Sequence, residues 1–208
     1  LPLVSTGCDS YPSVYPEFRK FATRCSVAEL SQSMQKLLAN GKWRQDNGTD
    51  VHLVITGGEP LLAGWQNSYP ELLSLEMAKG LEYLTFETNG TQKITQALAA
   101  YLSSSPKLDV TFSVSPKLSA SGESWDAAIK PEIVVGYQQH GHVYLKFVVE
   151  TQEHFAEVDR AVSLYRDQGF IGNVFVMPVG GTFETYQHNA TRVADWAMEK
   201  HYCFSPRL

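Results

Sequence analysis

Residues 51–60 read VHLVITGGEP, and residues 81–90 read LEYLTFETNG. Each stretch is a short apolar run that breaks at glycine, a pattern that predicts a buried strand followed by a tight turn. Each break also carries a glutamate, Glu59 in the first stretch and Glu87 in the second. These two strand ends predict the fold of the chain and raise the question of what the two carboxylates face.

The same alternation of strands and helices continues along the chain. Further strands are predicted within residues 108–115, 143–150, 172–179 and 201–205. Helices are predicted from an N-cap at Ser26, and roughly over residues 70–79, 91–103, 153–168 and 185–200. Strands that alternate with helices in this way form parallel βαβ units.

Six such strands fit either an open, doubly wound sheet or a partial barrel. Polar residues and glycines follow almost every strand, as they do in barrels that build their site at the carboxyl ends of the strands. No G-x-G-x-x-G follows the first recognisable strand, so an open dinucleotide-binding sheet has little support. The sequence therefore favours an α/β fold with an incomplete, TIM-type (β/α)6 barrel of parallel strands, and the open sheet is the alternative.

Composition limits the classes of function. The chain has 208 residues, 43% of them hydrophobic, and a formal net charge of −5, which gives no broad attraction to nucleic acid. It contains neither a membrane-spanning apolar run nor a signal peptide, so we expect a cytoplasmic protein without a membrane partner. We expect one domain over residues 1–208 that lacks residues at both termini, because the chain opens without Met and stops within a predicted strand.

Polar groups are concentrated at the predicted strand ends. Glycines there let a backbone approach a ligand closely, while carboxylates and hydroxyls can fix an ammonium, an amine or a ribose. The alternative is a plain turn with a solvated Glu59. Lys146 could point into the barrel toward a ligand carboxylate or outward on an edge strand. The candidate residues are Thr56, Gly57, Gly58, Glu59, Glu87, Asn89, Ser113, Ser115 and Lys117.

Two other features are candidates for metal chemistry. Cys8 precedes the first clear helix in a proline-rich loop, where a lone cysteine is most often a small buried apolar group. His140 and His142 flank Gly141, but no nearby cysteine or carboxylate completes a metal site, so a solvated loop is the favoured interpretation. The three cysteines, at irregular spacing, do not form a disulfide framework.

Taken together, these motifs resemble a known family. Cys8-Asp9-Ser10 before a helix, followed by a strand that ends in TGGEP at residues 56–60, resembles the radical S-adenosylmethionine superfamily. FETNGT at residues 86–91 and SVSPK at residues 113–117 resemble the 7-carboxy-7-deazaguanine synthase family of queuosine biosynthesis. The resemblance runs from Cys8 to Leu208.

The resemblance implies the cofactors and the reaction. Members hold a [4Fe–4S] cluster by three cysteines, bind S-adenosyl-L-methionine at the open iron and use Mg²⁺. Reductive cleavage of the cofactor gives a 5′-deoxyadenosyl radical, which removes a hydrogen from 6-carboxy-5,6,7,8-tetrahydropterin. This substrate contracts with loss of ammonia to 7-carboxy-7-deazaguanine, a lyase reaction. An electron donor such as flavodoxin or ferredoxin and a homodimeric state are also implied.

The resemblance also assigns roles to residues. Cys8 would be the third cluster ligand and Ser10 the Mg²⁺ ligand, with two further cysteines upstream of Leu1. Thr56 would contact the substrate, and Glu59 would bond the methionine ammonium or brace its turn. Met177 stands where some members have a glutamine near the adenine. The cofactor-binding set would be Gly57, Gly58, Glu59, Glu87, Asn89, Ser115, Pro116 and Lys117.

Two alternatives remain open from the sequence. One is another radical S-adenosylmethionine enzyme, such as a glycyl-radical activase. The other is a non-catalytic barrel that binds a nucleoside or a partner protein.

Overall fold

A single parallel sheet organises the chain in the computed structural model, which describes residues 16–21, 23–180 and 182–206. The strands follow one another in the spatial order β1-β2-β3-β4-β5-β6, and each neighbouring pair is parallel. The strands are β1 (Leu53–Ile55), β2 (Tyr83–Thr88), β3 (Asp109–Val114), β4 (His142–Val149), β5 (Val174–Pro178) and β6 (Cys203–Phe204).

The strand order decides between the two architectures that the sequence allowed. A doubly wound sheet reverses its strand order at a switch point, whereas this sheet is sequential from β1 to β6. The two end strands do not pair with each other, so the sheet stays open along one side. The prediction of a partial (β/α)6 barrel is therefore confirmed.

Eight α-helices occur in the described residues: α1 (Val27–Leu37), α2 (Ala63–Gln66), α3 (Tyr69–Leu73), α4 (Gln96–Ser103), α5 (Trp125–Ala128), α6 (Pro131–Tyr137), α7 (Gln152–Asp167) and α8 (Phe183–Glu199). Short 3₁₀ turns lie at Pro16–Phe21, Ala39–Gly41, Glu76–Ala78 and Ser119–Ser121. Ser26 caps α1 as predicted, in a capping box with Glu29. In the part of the chain that the structure describes, none of the helices has the length and apolarity that a bilayer span requires.

One predicted helix is broken in the structure. The apolar pattern over residues 70–79 predicts a single helix, but α3 ends at Leu73 and a separate 3₁₀ turn follows. The hydroxyl of Ser74 donates to the carbonyl of Pro70 at 2.6 Å, and Leu75 adopts an extended conformation with ψ of 159°. Serine side chains that bond to nearby backbone compete with helix continuation in this way.

Alternate strand residues divide the sheet into a buried face and an inner face. On the buried face the rings of Phe86 and Phe112 lie 5.5 Å apart, and Phe112 stacks on Tyr137 of α6 at 4.8 Å. The intervening residues point to the opposite side of the sheet. We call that side the inner face; it carries Thr56, Thr85, Glu87, Ser113, Tyr144, Lys146, Phe175 and Met177.

Gly90, directly after β2, offers a test of this packing. Its φ is +80°, and a Cβ there would lie 2.6 Å from Val114 Cγ1 and 2.9 Å from Val134 Cγ2. We expect Gly90→Ala to lower the free energy of unfolding by about 2–4 kcal/mol, because strain at positive φ adds to overpacking. Urea unfolding measures this loss.

The matched control is Gly136→Ala in α6. No neighbouring atom lies within 4 Å of a Cβ at Gly136, so alanine should be neutral there or stabilise by up to about 1 kcal/mol through its helix propensity. Equal stability of the two variants would show that the contact between Gly90 and the two valines is wrongly described.

Candidate functional site

The candidate site lies where the strands end on the inner face. Thr56 follows β1, Glu87 lies near the end of β2, and Ser115 follows β3. The backbone N–H of Ser115 donates to the carbonyl of Thr88 at 2.8 Å, so the ends of β2 and β3 are held together. The structure thus brings the TGGEP, FETNG and SPK motifs to one edge of the sheet, as parallel strands require.

Glu59 is the brace of this edge. Its carboxylate accepts hydrogen bonds from the backbone N–H of Leu61 at 2.8 Å and from the hydroxyl of Thr88 at 2.7 Å. It also accepts one from the backbone N–H of Asn89 at 2.8 Å. Of the two roles considered from the sequence, these contacts support bracing, since they join the loop after β1 to the end of β2.

A buried glutamine adds a second brace that the sequence did not suggest. Gln66 of α2 is fully buried. Its amide nitrogen donates to the carbonyls of Leu61 and Lys93, and its amide oxygen accepts from the backbone N–H of Thr95 at 2.8 Å. The loops that follow β1 and β2 are therefore fixed to each other at several points. The one signal of this bracing role is that Gln66 is a polar residue buried in a very short helix.

A buried tyrosine, Tyr69, supports the loop that follows β1. The hydroxyl of Tyr69 donates to the carbonyl of Pro60 at 2.6 Å. Burial, with a further contribution from the negative charge of Glu59, raises the pKa of Tyr69 to about 12. The same two causes raise the pKa of Tyr137, whose hydroxyl donates to the carbonyl of Gln92. Both tyrosines therefore stay protonated donors at neutral pH.

The raised pKa of Tyr69 predicts a pH dependence of stability. In the unfolded chain tyrosine ionises near pH 10, whereas in the folded protein Tyr69 keeps its proton to about pH 12. Between these values the unfolded state binds fewer protons, so the free energy of unfolding falls as the pH rises. We expect Tyr69→Phe to make this fall less steep, measured by urea unfolding across the same range. An unchanged slope would contradict the buried environment of Tyr69.

Glu87 occupies a different position from Glu59. One carboxylate oxygen accepts a hydrogen bond from the hydroxyl of Thr56 at 3.2 Å. The other lies 3.5 Å from the ammonium of Lys146, and the Glu87 side chain is 43% exposed. Lys146 therefore points to the inner face, which settles the orientation that the sequence left open. Glu87 is accessible to a ligand, whereas the carboxylate of Glu59 already accepts hydrogen bonds from two backbone N–H groups and a hydroxyl.

Asn89 is partly engaged within its own turn. Its side-chain oxygen accepts from the backbone N–H of Thr91 at 3.0 Å and from the Thr91 hydroxyl at 2.7 Å. Such Asx turns shape a loop and leave the amide N–H groups as donors. Any contact of Asn89 with a ligand would therefore come through its nitrogen.

The loop after β3 is held by a residue that sequence reasoning missed. Glu157 of α7 accepts from the backbone N–H of Ser119 at 2.9 Å and also from the Ser119 hydroxyl. Pro116 is buried and Lys117 is exposed, so of these two residues it is Lys117 that reaches solvent. Nothing in the sequence marks Glu157, because a glutamate on a helix surface is ordinary.

A further brace lies at the ends of β4 and β5. Asn189 of α8 is fully buried and donates to the carbonyl of Val179 at 3.1 Å and to Glu150 at 3.3 Å. Its oxygen accepts from Arg192 at 2.7 Å. Asn189 therefore holds the ends of β4 and β5 to α8.

The described edge fits a ligand that carries amine, hydroxyl and carboxylate groups. Gly57 has φ of +132°, and nothing lies within 4 Å of where its Cβ would be, so the turn backbone is open to close approach. Ser113 on the inner face has a buried hydroxyl without a hydrogen-bond partner among the described residues. This donor and acceptor set suits S-adenosylmethionine, whose methionine and ribose parts carry the complementary groups.

The predicted metal ligands lie outside the part of the chain that can be described. Cys8 and Ser10 both precede residue 16. Among residues 16–21, 23–180 and 182–206, no three His, Cys, Asp or Glu side chains group closely enough to hold a metal ion. Cys25 and Cys203 are free, exposed thiols. His142 is exposed, with its Nε2 3.6 Å from Asp109, but it is the first residue of β4, and His140 is partly buried, so the solvated loop expected over these two histidines is not found.

Comparison with known proteins adds a sequence relationship and a fold relationship. No family model matches the chain. The chain is 31% identical over 160 residues to a protein of Pyrobaculum aerophilum named 7-carboxy-7-deazaguanine synthase. The match covers 76% of this chain and 63% of the relative, so the chain spans less than two thirds of that protein.

Two solved structures of Streptococcus suis SuiB share the architecture. The structure of SuiB bound to S-adenosylmethionine has a TM-score of 0.54 at 14% identity, covering 90% of this chain and 44% of that one. Another SuiB structure has a TM-score of 0.51 at 16% identity, covering 86% of this chain and 43% of that one. These comparisons show the fold: the chain shares its partial (β/α)6 barrel with the matched part of SuiB.

Proposed function

We propose that this protein is a radical S-adenosylmethionine enzyme that converts 6-carboxy-5,6,7,8-tetrahydropterin to 7-carboxy-7-deazaguanine. The observation that carries the proposal is the 31% identity to a synthase of that name. The convergence of TGGEP, FETNG and SPK at one edge of a barrel supports it. This assignment makes the protein a lyase that releases ammonia in 7-deazapurine biosynthesis.

The roles of the cofactor-binding residues are those that the resemblance implies, and their positions at one edge of the sheet are compatible with them. The backbone of Gly57 and Gly58 would receive the methionine part of the cofactor, in a loop that Glu59 keeps in shape. Ser115, Pro116 and Lys117 would receive its carboxylate and ribose from the neighbouring strand end. Thr56 would contact the substrate, with Glu87 and the Asn89 amide nitrogen at the same edge.

Cys8 would hold the [4Fe–4S] cluster together with two further cysteines, and Ser10 would hold Mg²⁺. When bound, the reduced cluster supplies the electron that cleaves S-adenosylmethionine. The work of the described residues is to hold the cofactor and the substrate in a fixed relation, which is how positioning accelerates a reaction. A flavodoxin or ferredoxin as electron donor, a homodimeric state and a cytoplasmic location belong to the same proposal.

Anaerobic reconstitution of the full-length protein tests this function. With iron, sulfide, S-adenosylmethionine, a reductant and the carboxylated tetrahydropterin, we expect 5′-deoxyadenosine and 7-carboxy-7-deazaguanine, both identified by mass spectrometry. Cofactor cleavage without the deazapurine would move the protein to another radical reaction, such as that of an activase. Folded, reconstituted protein that gives neither product would indicate a non-catalytic barrel.

A further inference from the structure

Lys146 is a largely buried cation with unused hydrogen-bonding capacity. Its side chain is only 22% exposed, and its ammonium lies 3.5 Å from Glu87. Charge-assisted hydrogen bonds are shorter, about 2.7–2.9 Å, and no acceptor among the described residues hydrogen-bonds this ammonium. Since an ammonium carries three donors, Lys146 is placed on the inner face with donors available to a ligand.

Ser113 provides a second, independent observation at the same place. It lies on β3, paired in register with Glu87 of β2 on one side and Tyr144 of β4 on the other. Ser113 as a whole residue is 1% exposed, yet its buried hydroxyl has no hydrogen-bond partner among the described residues. Buried hydroxyls are rarely left unpaired. Glu87 and Lys146 lie on the two strands that flank β3, so their ion pair reaches across the face that carries Ser113.

Glu87, Ser113 and Lys146 form a cluster whose two sides carry opposite charges. Toward β1, the Glu87 carboxylate is an acceptor that attracts ligand N–H groups. Toward β4, Lys146 and Ser113 offer donors and a positive charge that attract an anion. A ligand that fits both sides carries ring N–H groups and a carboxylate, as the carboxylated tetrahydropterin of the proposed function does.

We propose that Lys146 binds the carboxylate of the substrate, with the Ser113 hydroxyl as a second donor, and thereby selects carboxylated over uncarboxylated tetrahydropterins. This inference rests on the proposed function and adds a specificity-determining residue to it. Glu87 holds the ammonium in place until the substrate carboxylate joins it.

Equilibrium binding under anaerobic conditions tests the inference with two probes, 6-carboxy-5,6,7,8-tetrahydropterin and 5,6,7,8-tetrahydropterin. We expect Lys146→Met to weaken binding of the carboxylated probe roughly 10- to 100-fold, the usual effect of losing a hydrogen bond to a charged group. Binding of the uncarboxylated probe should change less than about threefold, because that probe makes no contact with the ammonium. Lys146→Arg should recover part of the affinity.

Lys107→Met is the matched control, because this exposed lysine precedes β3 at the opposite end of the strand. It should leave both affinities unchanged. Ser113→Ala removes only the second donor and should weaken binding of the carboxylated probe several-fold. This variant keeps the inference testable if Lys146→Met does not fold. If Lys146→Met weakened binding of both probes equally, or of neither, the inference would be overturned. The proposed function would still stand in that case if the wild type forms the product.

Discussion

Replacing Glu59 by alanine is expected to lower the free energy of unfolding by about 3–5 kcal/mol, a large effect for a partly buried glutamate. The variant leaves three donors without their acceptor: the N–H groups of Leu61 and Asn89, and the Thr88 hydroxyl. These donors belong to two different strand ends, so the loss also separates the loops that follow β1 and β2.

Urea unfolding of Glu59→Ala beside Glu87→Ala measures the difference between the two glutamates. Glu87 accepts one hydrogen bond from Thr56 and forms a long ion pair with Lys146 while 43% exposed. We therefore expect Glu87→Ala to cost less than about 1 kcal/mol, as exposed pairs usually do. If the two variants were equally stable, Glu59 would not be the brace of the edge.

Replacing Cys8 by alanine is expected to abolish cluster binding and product formation together. The proposed function makes Cys8 a thiolate ligand, and iron–sulfur clusters of this kind depend on their cysteines. Iron and sulfide content after anaerobic reconstitution, together with the yield of 5′-deoxyadenosine, provide the measurement. The fold should be unaffected, with the same far-ultraviolet circular dichroism as the wild type.

Cys25→Ala and Cys203→Ala are the matched controls for Cys8. Both residues are free and exposed in the structure, and neither lies beside another group that could complete a metal site among the described residues. Both variants should keep the cluster and the activity. Retention of a full cluster by Cys8→Ala, or its loss in either control, would contradict the assignment of Cys8.

Much of the fold was predictable because strands and their breaks are local signals. The strands around Phe86 and Phe112 lie within a residue or two of their predicted positions, since β-branched runs ending at glycine or proline are strong patterns. The helix predicted over residues 70–79 was wrong at Ser74, whose side chain bonds back to Pro70. The backbone turns extended at Leu75, directly after this serine, so the apolar pattern does not continue as one helix.

The candidate site was predictable in its location but less so in its contacts. Lys146 alternates with Leu145 and Phe147, both fully buried, so the pattern already held the signal that the lysine faces the other side. Glu59 differs, because its partners Thr88 and Asn89 lie about thirty residues away and only the folded sheet brings them near. Braces such as Glu157 and Asn189 leave no sequence signature for the same reason.

The two glutamates at the ends of neighbouring strands thus have different roles. Glu59 is saturated by backbone and hydroxyl donors and holds the edge in shape. Glu87 stays accessible beside Thr56 and Lys146, where a ligand can reach it. A rigid support beneath accessible groups is the arrangement that precise positioning of a ligand requires.

The most direct test of this account is a crystal structure of the reconstituted, full-length protein with S-adenosylmethionine. We predict that the methionine part lies against Gly57 and Gly58, that the ribose lies near Ser115, and that Cys8 ligates the cluster beneath. A cofactor bound away from the carboxyl ends of β1 to β3, or a Cys8 sulfur packed among apolar side chains, would contradict it.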